Sequence, residues 1–257
     1  MRAPMVSDCK TRIGAAFGAA APHYDGDAGV HRLVAARLLA FAADYAPRDP
    51  KAILEIGCGT GILTRLIDQQ WPQAALTATD IAPDMVAETS RTCRRAKLLV
   101  MDGEAPDLGE ERFDLILSSL SFQWFEHLPA ALARLHRLLR PGGSLCFATM
   151  GADSFRDWRD AHQREGLHCG LRDYPSLADL RAMMDPLGPT AFAQDMVPLA
   201  VSGGLALVRH FHAIGARVPR ADYHRLTPPS LRRVIARFDG DGGASAYHII
   251  YGRIGHD

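Results

Sequence analysis

The stretch "ILEIGCGTG" (Ile53–Gly61) decides the fold class, because an aliphatic run enters a loop with glycine at every second position. Gly57, Gly59 and Gly61 follow a strand-like run and precede a helical pattern. Glycine tolerates positive φ and lets a ligand touch the backbone. The helix beyond the loop offers free N–H groups at its N-terminus. The pattern therefore predicts a strand, a ligand-binding loop and a helix, with the acid Glu55 beside the loop.

Apolar runs and amphipathic segments alternate along the rest of the chain. The predicted strands are 52–57, 74–80, 96–102, 113–119, 143–150, 192–201 and 245–254. The helical pattern "LPAALARLHRLLR" (128–140) is expected to run up to the Pro-Gly-Gly at 141–143. Further helices are predicted in the first 46 residues and at 153–166, 176–185, 203–215 and 228–237. This alternation indicates an α/β fold with a parallel sheet covered on both faces.

Composition and charge narrow the class of protein. The 257 residues are 47% hydrophobic, and 29 basic residues balance 29 acidic ones. A disordered chain and a globally basic nucleic-acid binder are therefore not indicated. The sequence contains no stretch of about 18 apolar residues, so no membrane span is predicted. The start of the sequence does not resemble an export signal. Five scattered cysteines without a C-x-x-C pair fit reduced thiols in the cytoplasm better than disulfides or a metal site.

One domain is expected over 1–257. It would comprise an N-terminal helical region (1–49), a core sheet (50–150), and a cap with the C-terminal strands (151–257).

The spacing of the glycines distinguishes between ligands. A tight turn without a ligand is one interpretation. A dinucleotide loop has the spacing G-x-G-x-x-G, and its third glycine would fall at Ile62. S-adenosylmethionine carries an ammonium group in place of a pyrophosphate, and an acid such as Glu55 suits the ammonium.

Acidic residues also end the next two predicted strands. Asp80 ends the second strand, where a carboxylate accepts hydrogen bonds from ribose hydroxyls in many α/β proteins. Ile81 and Met85 follow it and are expected to pack on the ribose and adenine. Asp102 ends the third strand just before Gly103, and it is expected to accept from the adenine amino group.

The order of these motifs resembles the class I S-adenosylmethionine-dependent methyltransferases. The matching runs are "LEIGCGTG", "TDIAPDMV", "MDGEAPD", "FDLILSSLSFQW" and "LRPGGSL", all within roughly 50–150. The resemblance implies a Rossmann-like sheet of seven strands, mostly parallel, with the last strand antiparallel beside the fifth and a helical cap. It also implies cofactor contacts and no metal. The cofactor-binding residues would be Glu55, Gly57, Cys58, Gly59, Gly61, Asp80, Ile81, Met85, Asp102, Gly103 and Ser118.

Segments outside this core are similar to the biotin-synthesis malonyl-(acyl-carrier protein) O-methyltransferases. They include "AFGAAAPHYDGDAGVHRLVAARLL" (16–39), "SLSFQWFEHL" (119–128), "LTPPSL" (226–231) and "AYHIIYG" (246–252). That resemblance implies methylation of the free carboxylate of a malonyl thioester on acyl carrier protein, the step that starts pimeloyl and biotin synthesis. The chain departs from the family pattern at Ser119 and in "HAIGA" (212–216).

Other functions remain open at this point. The alternatives are methylation of another small acid of the trans-aconitate type or of a quinone precursor, a nicotinamide oxidoreductase, and a cofactor-binding protein without catalysis. No Asn/Asp-Pro-Pro-Tyr/Phe loop follows the fourth predicted strand, which argues against N-methylation.

A carboxylate acceptor needs an anchor more than a base, since a carboxyl pKa of about 4 leaves it ionised at neutral pH. Arg172, in "GLRDYPSL", aligns with the family's cap and is the expected anchor, with Arg181 as the anchor or a plain surface role for Arg172 as the alternatives. The resemblance also places Tyr24 over the cofactor as a catalytic residue. Gln123 and Trp124 are expected to line the acceptor pocket.

A basic segment (209–237) is the candidate docking surface for the acidic carrier protein. It holds one acid, Asp222, and seven arginines: Arg209, Arg217, Arg220, Arg225, Arg232, Arg233 and Arg237. A solvated helical face is the alternative interpretation.

Overall fold

Seven strands form one mixed sheet in the computed structural model, which describes residues 7–214, 216, 218–220 and 223–256. The strands are β1 (Ala52–Ile56), β2 (Ala75–Asp80), β3 (Lys97–Val100), β4 (Phe113–Ser119), β5 (Leu139–Met150), β6 (Thr190–Pro198) and β7 (Ala246–Gly255). Their order across the sheet is β3-β2-β1-β4-β5-β7-β6, and β7 runs antiparallel to both of its neighbours. The Rossmann-like α/β sheet predicted from the sequence is thereby confirmed.

Ten α-helices are described among these residues. They are α1 (Asp8–Ala20), α2 (Tyr24–Asp27), α3 (Gly29–Ala43), α4 (Ile62–Gln70), α5 (Pro83–Thr92), α6 (Leu128–His136), α7 (Arg156–Arg164), α8 (Leu177–Met184), α9 (Gly204–Ala213) and α10 (Pro228–Gly240). Polar N-caps fix several starts: the Ser7 hydroxyl accepts from the Lys10 N–H, and Ser176 forms a capping box with Asp179.

The predicted end of helix α6 is wrong. Helix α6 ends at His136, and the Pro-Gly-Gly at 141–143 lies inside β5 instead of ending the helix. The Phe113 N–H donates to the Leu138 carbonyl, and the pairing of β4 with β5 shifts register between Phe113 and Leu115. The glycines thus lie in the irregular first part of β5, which pairs with β4. Local sequence preference does not reveal this pairing.

Alternate residues of the central strands enter two separate cores. Ile53 and Leu115 pack with Leu38 of α3 on one face, whereas Leu54 and Ile116 pack with α6 and α8 on the other. Successive side chains of a strand point to opposite faces. Both faces are therefore covered, and the carboxyl ends of the parallel strands form an edge at which α1, α2 and the cap helices meet. No helix in the described part of the chain has both the length and the apolarity needed to span a membrane.

Candidate active site

Two adjoining cavities lie over the carboxyl ends of the parallel strands. The smaller, about 730 Å³, is lined by the glycine loop, the ends of β2 and β3, and α1. The larger, about 1580 Å³, lies under the cap and is walled by α7, α9 and the segment 170–174. Phe17, Tyr24, Leu120 and Trp124 line both cavities. Two ligands bound in the two cavities would therefore meet at these four side chains.

The glycine loop contributes backbone to the smaller cavity. Gly57, Gly59 and Gly61 have φ of +73°, +55° and +86°, in the left-handed region that favours glycine. A Cβ on Gly57 would lie 2.4 Å from Ser121 Oγ, so this glycine permits close packing of two loops. A Cβ on Gly59 would meet no protein atom within 4 Å, so this residue leaves room for a ligand. Gly61 lies at the N-cap of α4 and does not line the cavity.

Asp80 lies where β2 ends and is held from both sides by backbone groups. Its Oδ2 accepts from the Gly59 N–H and its Oδ1 from the Ala82 N–H, each at 2.9 Å. Burial raises the pKa of Asp80, although these backbone hydrogen bonds oppose the shift. Each carboxylate oxygen keeps a further lone pair, which fits a pair of ribose hydroxyls. Ile81 and Met85 stand in the same wall, as the nucleoside hypothesis expects.

Asp102 and Gly103 form another part of this wall. Asp102 Oδ1 accepts from the Glu104 N–H at 3.0 Å. Its Oδ2 accepts from Lys10 Nζ at 2.6 Å. Lys10 also lines the cavity, and its role is not apparent in the sequence because its partner lies 92 residues away. A Cβ on Gly103 would lie 2.3 Å from Ile56 Cγ2, so packing against β1 requires glycine there.

Glu55 lies behind the glycine loop and does not line the smaller cavity. Its side chain is buried and Oε2 has no hydrogen-bond partner among the described residues. Burial raises the pKa of Glu55 to about 8. The carboxyl group is thus largely protonated at neutral pH in this structure, whereas the sequence hypothesis required a carboxylate beside the cofactor ammonium.

This shift makes stability depend on pH in a defined window. The unfolded carboxyl has its usual pKa of 4.5 and the folded one about 8, so the folded chain holds more protons between these values. The free energy of unfolding therefore falls as pH rises through this window. We expect wild type to lose stability relative to Glu55→Gln from pH 5 to pH 8, by at most about 1.4 kcal/mol per pH unit. Urea unfolding of both proteins across this range measures the difference, and parallel pH profiles would contradict the expectation.

Cys58 and Ser118 also support the loop instead of lining the cavity. The Ser118 hydroxyl donates to the Ile56 carbonyl at 2.9 Å and joins β4 to β1, while its neighbour Ser119 faces the cavity. Cys58 is buried, and that burial raises the pKa of its thiol. Both residues therefore shape the site without standing in its wall.

Arginine and aromatic side chains dominate the larger cavity. Its aromatic lining comprises Phe17, Tyr24, Trp124, Phe155, Trp158, Tyr174, Phe211, Tyr223 and Tyr247. Arg172 projects from the wall with its Cζ 5.7 Å from the Trp124 ring centroid. No carboxylate of the described residues pairs with Arg172, so it presents an uncompensated cation. Arg181 lies 4.7 Å from the Phe192 ring and lines neither cavity, which removes the alternative anchor from the site.

Neutral polar groups complete the junction of the two cavities. Burial raises the pKa of Tyr24, so its phenol stays protonated at neutral pH. Its ring packs edgewise on His31 at 5.4 Å, and burial lowers the pKa of His31 to about 4. Gln123 is fixed in the wall, where its Nε2 donates to the Leu120 carbonyl at 2.6 Å. Among the residues that the structure describes, no three His, Cys, Asp or Glu side chains group in a way that could hold a metal ion.

The basic segment (209–237) borders the larger cavity. Val208, Phe211 and Leu231, from α9 and α10, line it, as does Arg225. Arg233 and Arg237 each form an ion pair with Glu165, and Arg220 pairs with Asp173. Arg209 and Arg232 have no ion-pair partner in the described part of the chain. Arg217 and Asp222 lie outside the described residues.

Comparisons with known proteins agree with this geometry. A family model described as "Methyltransferase domain" matches residues 28–190. The biotin biosynthesis bifunctional protein BioCD of Bordetella avium is 40% identical over 94% of this chain, which spans 51% of that protein. A malonyl-(acyl-carrier protein) O-methyltransferase of Magnetococcus marinus is 35% identical over 94% of this chain and 91% of its own length.

A solved structure shares the fold at low sequence identity. The plantazolicin methyltransferase BpumL, in complex with SAH, superposes with a TM-score of 0.57 at 15% identity and covers 96% of each chain. The identity to the two curated relatives extends over the cap as well as the core sheet, so the similarity is not confined to the fold. The chain belongs to the malonyl-(acyl-carrier protein) O-methyltransferase family.

Proposed function

We propose that the protein transfers a methyl group from S-adenosylmethionine to the free carboxylate of a malonyl thioester carried by acyl carrier protein. The observation that carries the proposal is the meeting of the two cavities at Tyr24 and Trp124, with the unpaired Arg172 on the acceptor side. The smaller cavity offers a glycine loop and Asp80 for an adenosyl group. The larger cavity offers the half-buried Arg172 in an aromatic wall, which suits a short acid carried on a long arm. The names of the relatives support the same substrate.

The chemistry demands little proton transfer. The cofactor supplies a methyl group on a cationic sulfur: a carboxylate oxygen forms the new bond to carbon, and the sulfur keeps the electrons of the broken bond. The acceptor carboxyl has a usual pKa of about 4 and is already ionised. A general base is therefore unnecessary, and His31, with its pKa lowered to about 4, would be a weak one.

The residues contribute position and exclusion of water. Arg172 would hold one edge of the malonyl carboxylate, and its place beside Trp124 would direct the other oxygen toward the junction. Phe17, Leu120 and Trp124 surround that junction with apolar surface and would strip the nucleophile of water. Holding two reactants in line contributes on the order of 7–11 kcal/mol in favourable cases.

A single incubation tests the proposal. Malonyl carrier protein and S-adenosylmethionine are mixed with the enzyme, and the intact carrier protein is weighed by mass spectrometry. We expect the mass of one added methyl group, lost together with the malonyl group when mild base cleaves the thioester. Acetyl carrier protein, which lacks the free carboxylate, is the matched control. Methylation of trans-aconitate or a quinone precursor in preference to the malonyl thioester would reject the assignment.

The same proposal includes docking of the carrier protein on the basic segment (209–237). Carrier proteins of this kind are acidic, and complementary charge steers such partners together. The segment borders the larger cavity, so a bound carrier would stand where its prosthetic arm can enter. Since Arg233 and Arg237 are engaged with Glu165, the available charges among the described residues are Arg209, Arg225 and Arg232.

Charge reversal should separate docking from catalysis. The double change Arg209→Glu and Arg232→Glu is expected to raise KM for malonyl carrier protein at least about tenfold at low salt, with less effect at high salt. KM for a small malonyl thioester should hardly change. Arg48→Glu with Arg94→Glu changes the net charge equally on surfaces away from the cavity mouth and serves as control. Equal losses on both substrates would reject docking at this surface.

Location and domain organisation complete the proposal. Five free cysteines fit a reducing compartment, which supports a cytoplasmic enzyme. Strands β6 and β7, from the cap and C-terminal part, pair into the same sheet as the core strands. This shared sheet supports one domain over 1–257.

A further inference from the structure

Lys10 occupies an interior position in the wall of the smaller cavity. Its side chain is 11% exposed, and Nζ lies 2.6 Å from Asp102 Oδ2 and 2.7 Å from Glu104 Oε2. Burial disfavours the charged forms of Lys10 and Glu104, but their hydrogen bonds and ion pair outweigh this effect. The pKa of Lys10 is therefore raised and the pKa of Glu104 is lowered. A largely buried lysine that bridges two carboxylates differs from a surface ion pair, which contributes little. The bridge fastens α1 to the loop that follows β3.

Glu104 extends this bridge toward the acceptor. Its carboxylate also accepts from the backbone N–H groups of Glu126, at 3.0 Å, and His127, at 2.5 Å. These residues directly follow Trp124 and Phe125 in the wall of the smaller cavity. The Trp124 ring in turn packs edgewise on Phe17 of α1, with ring centroids 5.2 Å apart. Lys10, Glu104 and the Trp124 segment thus form one closed set of contacts.

Helix α1 covers the smaller cavity through the same face. Lys10, Ile13 and Phe17, at helical spacing, all line it. The helix packs tightly against α5, since a Cβ on Gly18 would lie 2.6 Å from Asp84 Oδ2. A nucleoside in this cavity would therefore lie between the sheet edge and α1, with the Lys10 bridge closing one side.

We infer that Lys10 is a positioning residue for the cofactor: its ammonium holds α1 closed over the smaller cavity and fixes the Asp102 carboxylate in the cavity wall. The inference rests on the proposed function, because it takes the smaller cavity as the nucleoside site. Without the ion pairs of Lys10, α1 is held less firmly over the smaller cavity and the Asp102 side chain can rotate. A bound nucleoside would then dissociate faster. Glu104 keeps its hydrogen bonds from the Glu126 and His127 N–H groups without Lys10, so we expect the Trp124 segment beside Arg172 to hold its position and turnover of the saturated enzyme to persist.

Binding of S-adenosylhomocysteine tests this without any methyl transfer. Lys10→Met, which keeps length and apolar volume, is expected to raise the Kd at least about tenfold, chiefly through faster dissociation. KM for S-adenosylmethionine should rise in parallel, with kcat at saturation within about threefold of wild type. Lys10→Arg keeps the charge and should recover most of the affinity. Lys51→Met, which removes an exposed ion pair with Asp49, is the matched control.

Coupling to Asp102 distinguishes this role from general support of α1. The double variant Lys10→Met/Asp102→Asn should bind no more than about threefold weaker than the weaker single variant, because both changes break one contact. If the loss of affinity in the double variant equals the product of the losses in the two single variants, the inference is overturned. So would an unchanged Kd in Lys10→Met, or equal losses in Lys10→Met and Lys10→Arg.

Acetylation of the lysines in the wild-type protein provides a second test, which does not depend on a variant that folds. The chain has three lysines, Lys10, Lys51 and Lys97. Saturating S-adenosylhomocysteine should slow acetylation of Lys10 at least tenfold and leave the other two unchanged, as measured by peptide mass spectrometry. An unchanged Lys10 rate would overturn the inference. Binding of S-adenosylhomocysteine without methylation of malonyl carrier protein would instead count against the proposed function alone.

Discussion

Arg172→Ala is expected to lower kcat/KM for the malonyl thioester about 100-fold, with cofactor affinity unchanged. Truncating one partner of a desolvated, hydrogen-bonded charge pair costs about 2–5 kcal/mol, because the other charge is left unpaired. Arg172 is half-buried in an aromatic wall against Trp124 and has no carboxylate partner among the described residues, so a bound malonyl carboxylate would form such a pair with it. The loss should appear mainly as a higher KM if the carboxylate is bound equally in the ground and transition states.

Two further variants serve as controls for Arg172→Ala. Arg181→Ala removes an arginine that packs on Phe192 outside both cavities, and it should stay within about threefold of wild type. Arg172→Lys should restore only part of the activity, because an ammonium cannot match the paired geometry of a guanidinium on a carboxylate. Steady-state kinetics with a small malonyl thioester avoids any effect on docking. Wild-type kinetics in Arg172→Ala would exclude it as the anchor.

Gly59→Ala is expected to weaken binding of S-adenosylhomocysteine on the order of 100-fold while leaving the fold intact. The new methyl group would point into space that no protein atom occupies within 4 Å, beside the cavity that Gly59 lines. Displacing a ligand by about 1 Å can cost this much. The left-handed φ of +55° adds strain of about 1–2 kcal/mol, which lowers stability.

Gly109→Ala separates the two effects. Gly109 has φ of +57°, equally free surroundings and no place in either cavity wall. Both variants should therefore unfold at similarly reduced urea concentrations, and calorimetric titration should detect weaker binding in Gly59→Ala alone. Normal affinity in Gly59→Ala would show that the cofactor does not approach this backbone.

The sheet was predictable because its strands are continuous apolar runs bounded by clear turn signals. Parallel strands buried on both faces need such runs, so β1, β2 and β4 are plain in the sequence. The boundary of α6 was not predictable, since pairing of β4 with β5 decides where Leu139 and the following glycines lie. Pairing across the sheet outweighed the local preference of Pro-Gly-Gly for a helix end.

The wall of the smaller cavity was partly predictable for the same reason. Asp80 and Asp102 were predictable because they end parallel strands, and the carboxyl ends of parallel strands lie at one edge of the sheet. Glu55 was predicted from its position beside the glycine loop and Ser118 from the resemblance, but the alternation of side chains along β1 and β4 turns these two away from the cavity. A strand residue's face depends on its register in the sheet, and a motif match does not carry that information.

The sequence by itself determined the αβ alternation, the glycine loop and the family, because these depend on local periodicity, backbone freedom and continuous similarity. Tertiary structure alone decided that Arg172 stands unpaired beside Trp124 in the larger cavity and which arginines Glu165 neutralises. It also brought Lys10 to Asp102 across 92 residues of chain. The physical reason is that burial and charge pairing depend on neighbours in space, and folding chooses those neighbours from distant parts of the chain.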